Sequence, residues 1–134
     1  MGLPTGTKGD ILASLKDFID KNRNRETFST MLEQFRVEKE MTTSQLYNGA
    51  WVQKQLYSKI IGNRDYHPKK STVIAFGLSL RLDKDSMDKL LETAGYRFSN
   101  SCIADLVILF CIENNLFNLH DVNDLLDSFN QKIF

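Results

Sequence analysis

Six polar side chains lie within a short amphipathic segment, residues 52–61, and their types suit contact with a nucleic acid. They are Gln53, Lys54, Gln55, Tyr57, Ser58 and Lys59. Glutamine can bond an adenine edge at two points, lysine reaches guanine or phosphate, and serine or tyrosine can hold phosphate oxygens. At helical spacing Val52, Leu56 and Ile60 share one side of the segment and would anchor it. The sequence therefore predicts a helix with an apolar anchor and a polar face, and we expect all six polar side chains on that face.

A basic loop follows this segment. Residues 62–68 combine a glycine, several turn formers and Pro68, a composition that predicts a loop. The loop region supplies Arg64, Lys69 and Lys70, and the backbone amides of the helix that follows would lie beside the two lysines. Lysines next to a helix N-terminus form a natural grip for phosphate. These three residues therefore join the candidate DNA-binding set.

The charge of the chain is unevenly distributed. The net charge is zero overall, but residues 27–70 hold seven basic and four acidic side chains, whereas residues 71–134 hold five basic and nine acidic ones. A basic middle followed by an acidic remainder indicates an anionic partner for the middle.

The elements that would position these residues are helices. Apolar residues recur at helical spacing in segments near residues 10–20, 27–39, 44–48, 52–61, 71–80, 87–94, 102–114 and 120–128, and no segment alternates with the period of a strand. Capping residues precede three of these segments: Asp10 the first, Thr42 or Thr43 the third, and Asp83 or Asp85 the sixth. Gly49 is expected to adopt the left-handed conformation that ends the short third helix. A long helix, a very short one, a tight turn and a polar-faced helix follow the order of a helix-turn-helix. We therefore predict one all-α domain in residues 27–134, preceded by a flexible or tag-like start (1–9) and by a helix with a basic linker (10–26).

The composition is typical of a globular protein and excludes a chain that spans a membrane. The chain is 42% apolar and 25% charged, and it has no apolar run long enough to cross a bilayer. Cys102 and Cys111 would lie on opposite sides of one helix, so we expect two free thiols and a cytoplasmic protein without a membrane partner. Trp51 and Tyr47 are expected in the core.

Enzymatic motifs are not found in the sequence. His67 and His120 lack neighbours at metal-ligand spacing, and no phosphate-binding glycine loop or nucleophile motif occurs. Asp105, within an apolar helix, is expected to form a buried cap or an ion pair with a base such as Arg97. We predict no catalytic activity, no cofactor and no metal.

Several motifs resemble known families. The pattern Met-Thr-Thr-Ser-Gln-Leu-Tyr at residues 41–47, followed by Leu-Tyr-Ser-Lys-Ile-Ile at 56–61, resembles the repressor/Cro-type helix-turn-helix superfamily. Residues 53–60, 63–68, 91–101 and 105–114 look like a bacterial module that is often fused C-terminally to macrodomains or kinase-like domains. The resemblance implies a repressor-like bundle with extra C-terminal helices, and for the superfamily it implies DNA binding.

Two functions remain open at this point. The first is a transcriptional regulator that reads double-stranded DNA with residues 52–61, as a homodimer formed through Ile11, Leu15, Phe18 and Ile19 or through the C-terminal helices. The alternative is a protein-interaction or regulatory module of a larger or fused bacterial enzyme, without specific DNA binding.

Overall fold

The computed structural model describes residues 6–23 and 26–134, and in these stretches the chain forms eight α-helices and no strand. The helices are α1 (Lys8–Asn22), α2 (Phe28–Glu38), α3 (Thr43–Gly49), α4 (Lys54–Ile61), α5 (Lys70–Ser79), α6 (Lys84–Thr93), α7 (Ile103–Glu113) and α8 (Leu119–Ser128). The predicted all-α class is confirmed. Residues 1–5 of the predicted flexible start and residues 24 and 25 of the predicted linker lie outside the described stretches.

Hydroxyl and carboxylate caps set several helix starts. Thr7 begins α1 and accepts a hydrogen bond from the Asp10 amide, while the Asp10 side chain accepts one from the Thr7 amide. The prediction that Asp10 is the N-cap was therefore wrong. Thr7 is the N-cap, and Asp10 is the third residue of the helix, the position from which the second side chain of a capping box bonds back to the cap. Thr42 caps α3 as predicted. Asp83 caps α6, which begins at Lys84, earlier than the predicted residue 87.

Helix α5 lies at the centre of the bundle. Six consecutive residues, 73–78, are buried, so α5 has no polar side. It packs against α3 and α6, while α7 joins the bundle through α6 and carries α8. The Phe76 ring lies 6.1 Å from the ring of Phe28 on α2 and 6.2 Å from that of Tyr57 on α4. A stretch of helix that is apolar on every side is typical of a helix that other helices surround.

The turn between α3 and α4 differs from the prediction. Gly49 remains helical, and Trp51 instead adopts the left-handed conformation, with φ of 56°. The Trp51 amide donates to the Asn48 carbonyl and the Val52 amide donates to the Tyr47 carbonyl, so the turn closes two residues later than expected. Gly49 is needed for another reason: a Cβ at this position would collide with the Ser79 hydroxyl on α5. The glycine therefore serves the close approach of α3 to α5.

This close approach gives a prediction about stability. Gly49→Ala is expected to lower the free energy of unfolding by about 1–2 kcal/mol, because overpacking against Ser79 outweighs the helical gain of alanine. The Ser79 hydroxyl cannot move aside without loss, since it donates to the Leu46 carbonyl at 2.8 Å. Chemical denaturation would measure the change. Gly9→Ala, on an exposed turn of α1, is the control and should not destabilise the protein; equal behaviour of the two variants would contradict the packing role.

Candidate nucleic-acid interface

Helix α4 presents most of the predicted polar face to solvent. It follows α3 after a four-residue turn, residues 50–53, a length typical of a helix-turn-helix. The side chains of Tyr57 and Ile60 are buried, and Leu56 and Ile61 are partly buried. The exposed residues that remain are Gln53, Lys54, Gln55, Ser58 and Lys59, a group we call the α4 face. Five of the six predicted side chains are therefore exposed, four of them on one side of α4 and Gln53 at its N-cap.

Tyr57 does not belong to this surface. It is 5% exposed, and its hydroxyl donates to Oε1 of Glu33 on α2. The Arg36 guanidinium holds the other oxygen of the same carboxylate at 2.8 Å and also donates to the Met41 carbonyl. The expectation that Tyr57 lies on the polar face was wrong, because its hydroxyl is satisfied inside the bundle. Tyr57 instead fixes α4 against α2.

The buried hydroxyl makes stability depend on pH in alkaline solution. Burial, and then the hydrogen bond to Glu33, raises the pKa of Tyr57 above its ordinary value of 10.0. The unfolded chain loses this proton near pH 10 while the folded chain keeps it. The free energy of unfolding should therefore fall as the pH rises above 10, by up to about 1.4 kcal/mol per pH unit more in the wild type than in Tyr57→Phe. Urea denaturation of both proteins at pH 9 and pH 11 would measure this difference, and parallel losses would contradict it.

The loop after α4 separates the predicted basic residues into two groups. Arg64 and Lys69 are exposed in the segment that joins α4 to α5. Lys70, in contrast, forms an ion pair with Asp105 at 2.7 Å. Asp105 was expected to form a buried cap or an ion pair with a base such as Arg97; the structure shows an ion pair, and its partner is Lys70. The Lys70 ammonium is held toward α7, and we therefore leave it out of the candidate interface.

The loop itself is anchored on both sides. Asp65 pairs with Arg23 at 3.3 Å, where the segment after α1 passes the loop. The His67 Nε2 atom lies 2.9 Å from the Ala94 carbonyl, and the Tyr96 hydroxyl donates to the Pro68 carbonyl at 2.8 Å. These bonds tie the loop to the end of α6 and fix the position from which Lys69 begins α5.

Among the described helices, α4, α5 and α7 begin without a side-chain cap. Gln53 precedes α4 and Lys69 precedes α5, and neither side chain bonds the first turn that follows it. In contrast, α3 and α6 begin with a hydroxyl or carboxylate that does so. The first-turn amides of α4 and α5 therefore keep their capacity to bind an anion.

No protein-family model, curated protein or solved structure matches this chain. Among the described residues, no group of three or more histidine, cysteine, aspartate or glutamate side chains could hold a metal ion. No helix among them is long and apolar enough to cross a membrane.

An apolar groove of about 550 Å³ borders the α4 face. Its lining includes Trp51, Val52, Ile74, Ile108 and Phe134, from the turn, α5, α7 and the C-terminal residues. The expectation that Trp51 lies in the core was wrong: the side chain is 46% exposed, and its ring meets the His120 ring edge-on at 4.6 Å. Tyr47, also expected in the core, is partly buried, and its ring lies 5.5 Å from that of Tyr57. The C-terminal helices thus pack directly on the turn that carries α4.

Proposed function

We propose that this chain is a DNA-binding regulator of transcription, acting in the cytoplasm, whose helix α4 enters the major groove. The observation that carries the proposal is the α4 face. Lys54, Gln55, Ser58 and Lys59 are exposed on a short helix, within about 140° around its axis, and Gln53 is exposed at the end of the four-residue turn before it. Residues of these types bind base edges and phosphates. The buried side chains of α4 face α2 and the core, so the helix can offer this face without unfolding.

The surroundings of α4 suit the DNA backbone. Arg64 and Lys69 are exposed in the segment that follows α4 and add positive charge. The backbone amides at the start of α5 have no side-chain cap, and they also favour phosphate binding because phosphate oxygens accept hydrogen bonds from such amides. In this arrangement Gln53 and Gln55 contact base edges, while Lys54, Lys59, Arg64 and Lys69 neutralise phosphates. Pairing of two copies would place two such modules on one site and raise the affinity.

The salt dependence of binding to a random 20-base-pair duplex tests this proposal. If four basic side chains neutralise phosphates, the plot of log affinity against log salt should have a slope of about −3.6. Fluorescence anisotropy of a labelled duplex, measured from about 50 to 200 mM salt, gives the slope. No detectable binding at the lowest salt, or a slope near zero, would contradict the proposal.

A second candidate function is favoured by a different observation. Helix α7 exposes Ile103, Leu106 and Phe110 along one side, and an apolar row of this kind is typical of a protein-binding surface. In this alternative the chain is an interaction or regulatory module of a larger or fused bacterial enzyme, without specific DNA binding. Absence of DNA binding, together with tight binding of a defined partner that is lost in Leu106→Asp and retained in Lys54→Ala, would favour it.

A further inference from the structure

Helix α1 carries an apolar surface that the rest of the described chain does not cover. Five large apolar side chains are between 40% and 62% exposed, and we call them the α1 arc: Ile11, Leu12, Leu15, Phe18 and Ile19. No residue of α1 is buried, and α1 makes no substantial packing contact with another helix of the described chain. A contiguous apolar surface of this kind marks a site of interaction.

The helix is encoded locally, but its apolar side still needs a partner. The capping box of Thr7 and Asp10 begins α1, and Lys21 pairs with Asp17 in its last turns at 2.8 Å. Isolated helices of about 15 residues are nevertheless marginal in water, and most helices gain their stability from packing of the apolar side. We therefore expect α1 to be stabilised by whatever covers the arc.

The charges on α1 select the class of partner. The helix holds three lysines and three aspartates, namely Lys8, Lys16, Lys21, Asp10, Asp17 and Asp20. A helix that binds an anionic membrane or a nucleic acid needs an excess of basic residues on its polar side. A neutral helix with an apolar arc suits a protein partner, and a second identical helix adds no net repulsion.

The arc is symmetric about Leu15. Ile11 and Ile19 are four residues before and after Leu15, and at 100° per residue they lie about 40° to either side of it. Leu12 and Phe18 are three residues before and after, about 60° to either side. A two-fold axis at Leu15 therefore places apolar residues on apolar residues, whether the two helices run parallel or antiparallel. Such self-complementarity is the requirement for a symmetric dimer interface.

We propose that α1 pairs with α1 of a second copy of this chain across a two-fold axis at Leu15. About half of the surface of five large apolar side chains amounts to roughly 450 Å² per copy, so a pair would bury about 900 Å². This area is below the roughly 1,200 Å² at which stable specific interfaces begin, so the dimer should be weak and reversible, with a dissociation constant on the order of 10 µM. The pairing does not depend on DNA binding.

Sedimentation equilibrium of the whole chain tests the pairing. Leu15→Asp is expected to raise the dissociation constant at least about tenfold, because it places a charge at the centre of the apolar contact. Ala13→Asp is the matched control: it adds the same residue to the opposite side of α1 and should leave the dissociation constant unchanged. Since no residue of α1 is buried, thermal unfolding followed by circular dichroism should show both variants folded.

A crosslinking experiment locates the axis. In a chain that also carries Cys102→Ser, a short bismaleimide should link the Leu15→Cys thiols of two copies. The thiols of Ala13→Cys should not be linked. Crosslinking of Ala13→Cys alone would overturn the placement of the axis.

Three other results would overturn the pairing itself. The first is a wild-type protein that stays monomeric up to about 200 µM, well above the expected dissociation constant. The second is a dimer that survives Leu15→Asp but is lost in Leu106→Asp, which would assign the interface to α7. The third is a monomer that binds anionic phosphatidylserine vesicles through the arc, which would make the partner a membrane.

Discussion

Asp105→Ala is expected to lower the free energy of unfolding by about 3 kcal/mol. The carboxylate lies in the first turn of α7 with 5% of its side chain exposed. One of its oxygens accepts from the Lys70 ammonium at 2.7 Å and from the Ser99 amide at 2.8 Å. With alanine at this position, the Lys70 ammonium, on a side chain that is two-thirds buried, and the Ser99 amide would both lose their acceptor. Leaving a buried charge or amide without a partner lowers the stability of the folded state. Urea denaturation would measure the loss.

The chain offers a matched control for Asp105. Lys84 and Asp88 on α6 form an ion pair at the same distance, 2.7 Å, but their side chains are 55% and 41% exposed, whereas that of Asp105 is 5% exposed. Because water screens exposed pairs, Asp88→Ala should change the stability little. Asp105→Asn should fall between the wild type and Asp105→Ala, since the amide oxygen can still accept from Ser99. Similar losses in Asp88→Ala and Asp105→Ala would contradict the role of burial.

The double variant Lys54→Ala/Lys59→Ala is expected to bind duplex DNA roughly 10- to 30-fold more weakly than the wild type at about 50 mM salt. Both ammonium groups lie on the α4 face, where the proposal places the phosphates. Loss of two phosphate contacts should also make the slope of log affinity against log salt shallower by about 1.8. Fluorescence anisotropy with the random duplex measures both quantities.

The control for this variant is Lys8→Ala/Lys89→Ala, which removes two exposed lysines from α1 and α6. It changes the net charge by the same amount, so a purely nonspecific attraction would weaken equally in both variants. The interface proposal predicts that the control keeps both the wild-type affinity and the wild-type slope. Equal effects of the two double variants would show that α4 is not the contact surface.

The sequence was sufficient to predict the helices, because their signals are local. The spacing of apolar residues located all eight, and the threonine before α3 and the aspartate before α6 marked two of the starts. Gly49 shows where local signals fail. A glycine near a helix end is often the residue that closes it, but here its missing Cβ serves contact with Ser79, and Trp51 takes the left-handed position.

The candidate interface was predictable in its exposed residues and less so in its buried ones. Lys54, Gln55 and Lys59 are exposed, as helical spacing predicts. Gln53 is exposed for another reason: the same spacing would place it about 20° from Ile60, but it precedes the first turn of α4. Tyr57 was assigned to the polar face from its hydroxyl, although at 100° per residue it lies only about 40° from Ile61, a signal for burial that was present in the sequence. Its partner Glu33 is 24 residues away, and no local pattern reveals such a pair.

Lys70 is a second residue whose partner is distant in the sequence. As a basic residue beside a loop it resembled a phosphate ligand, and only the packing of α7 brings Asp105, 35 residues later, to its side chain. Long-range pairs of this kind depend on how the helices pack and not on the spacing within any one of them.

An NMR titration tests the central claim most directly. Amide spectra of the ¹⁵N-labelled chain would be recorded while the random 20-base-pair duplex is added at about 50 mM salt, where phosphate contacts are strong. We expect the largest shifts on residues 53–59 and on the loop from Asn63 to Lys69, with little change in α8. Shifts that are absent, or that cluster on α7 and α8 while the α4 face stays unchanged, would contradict it.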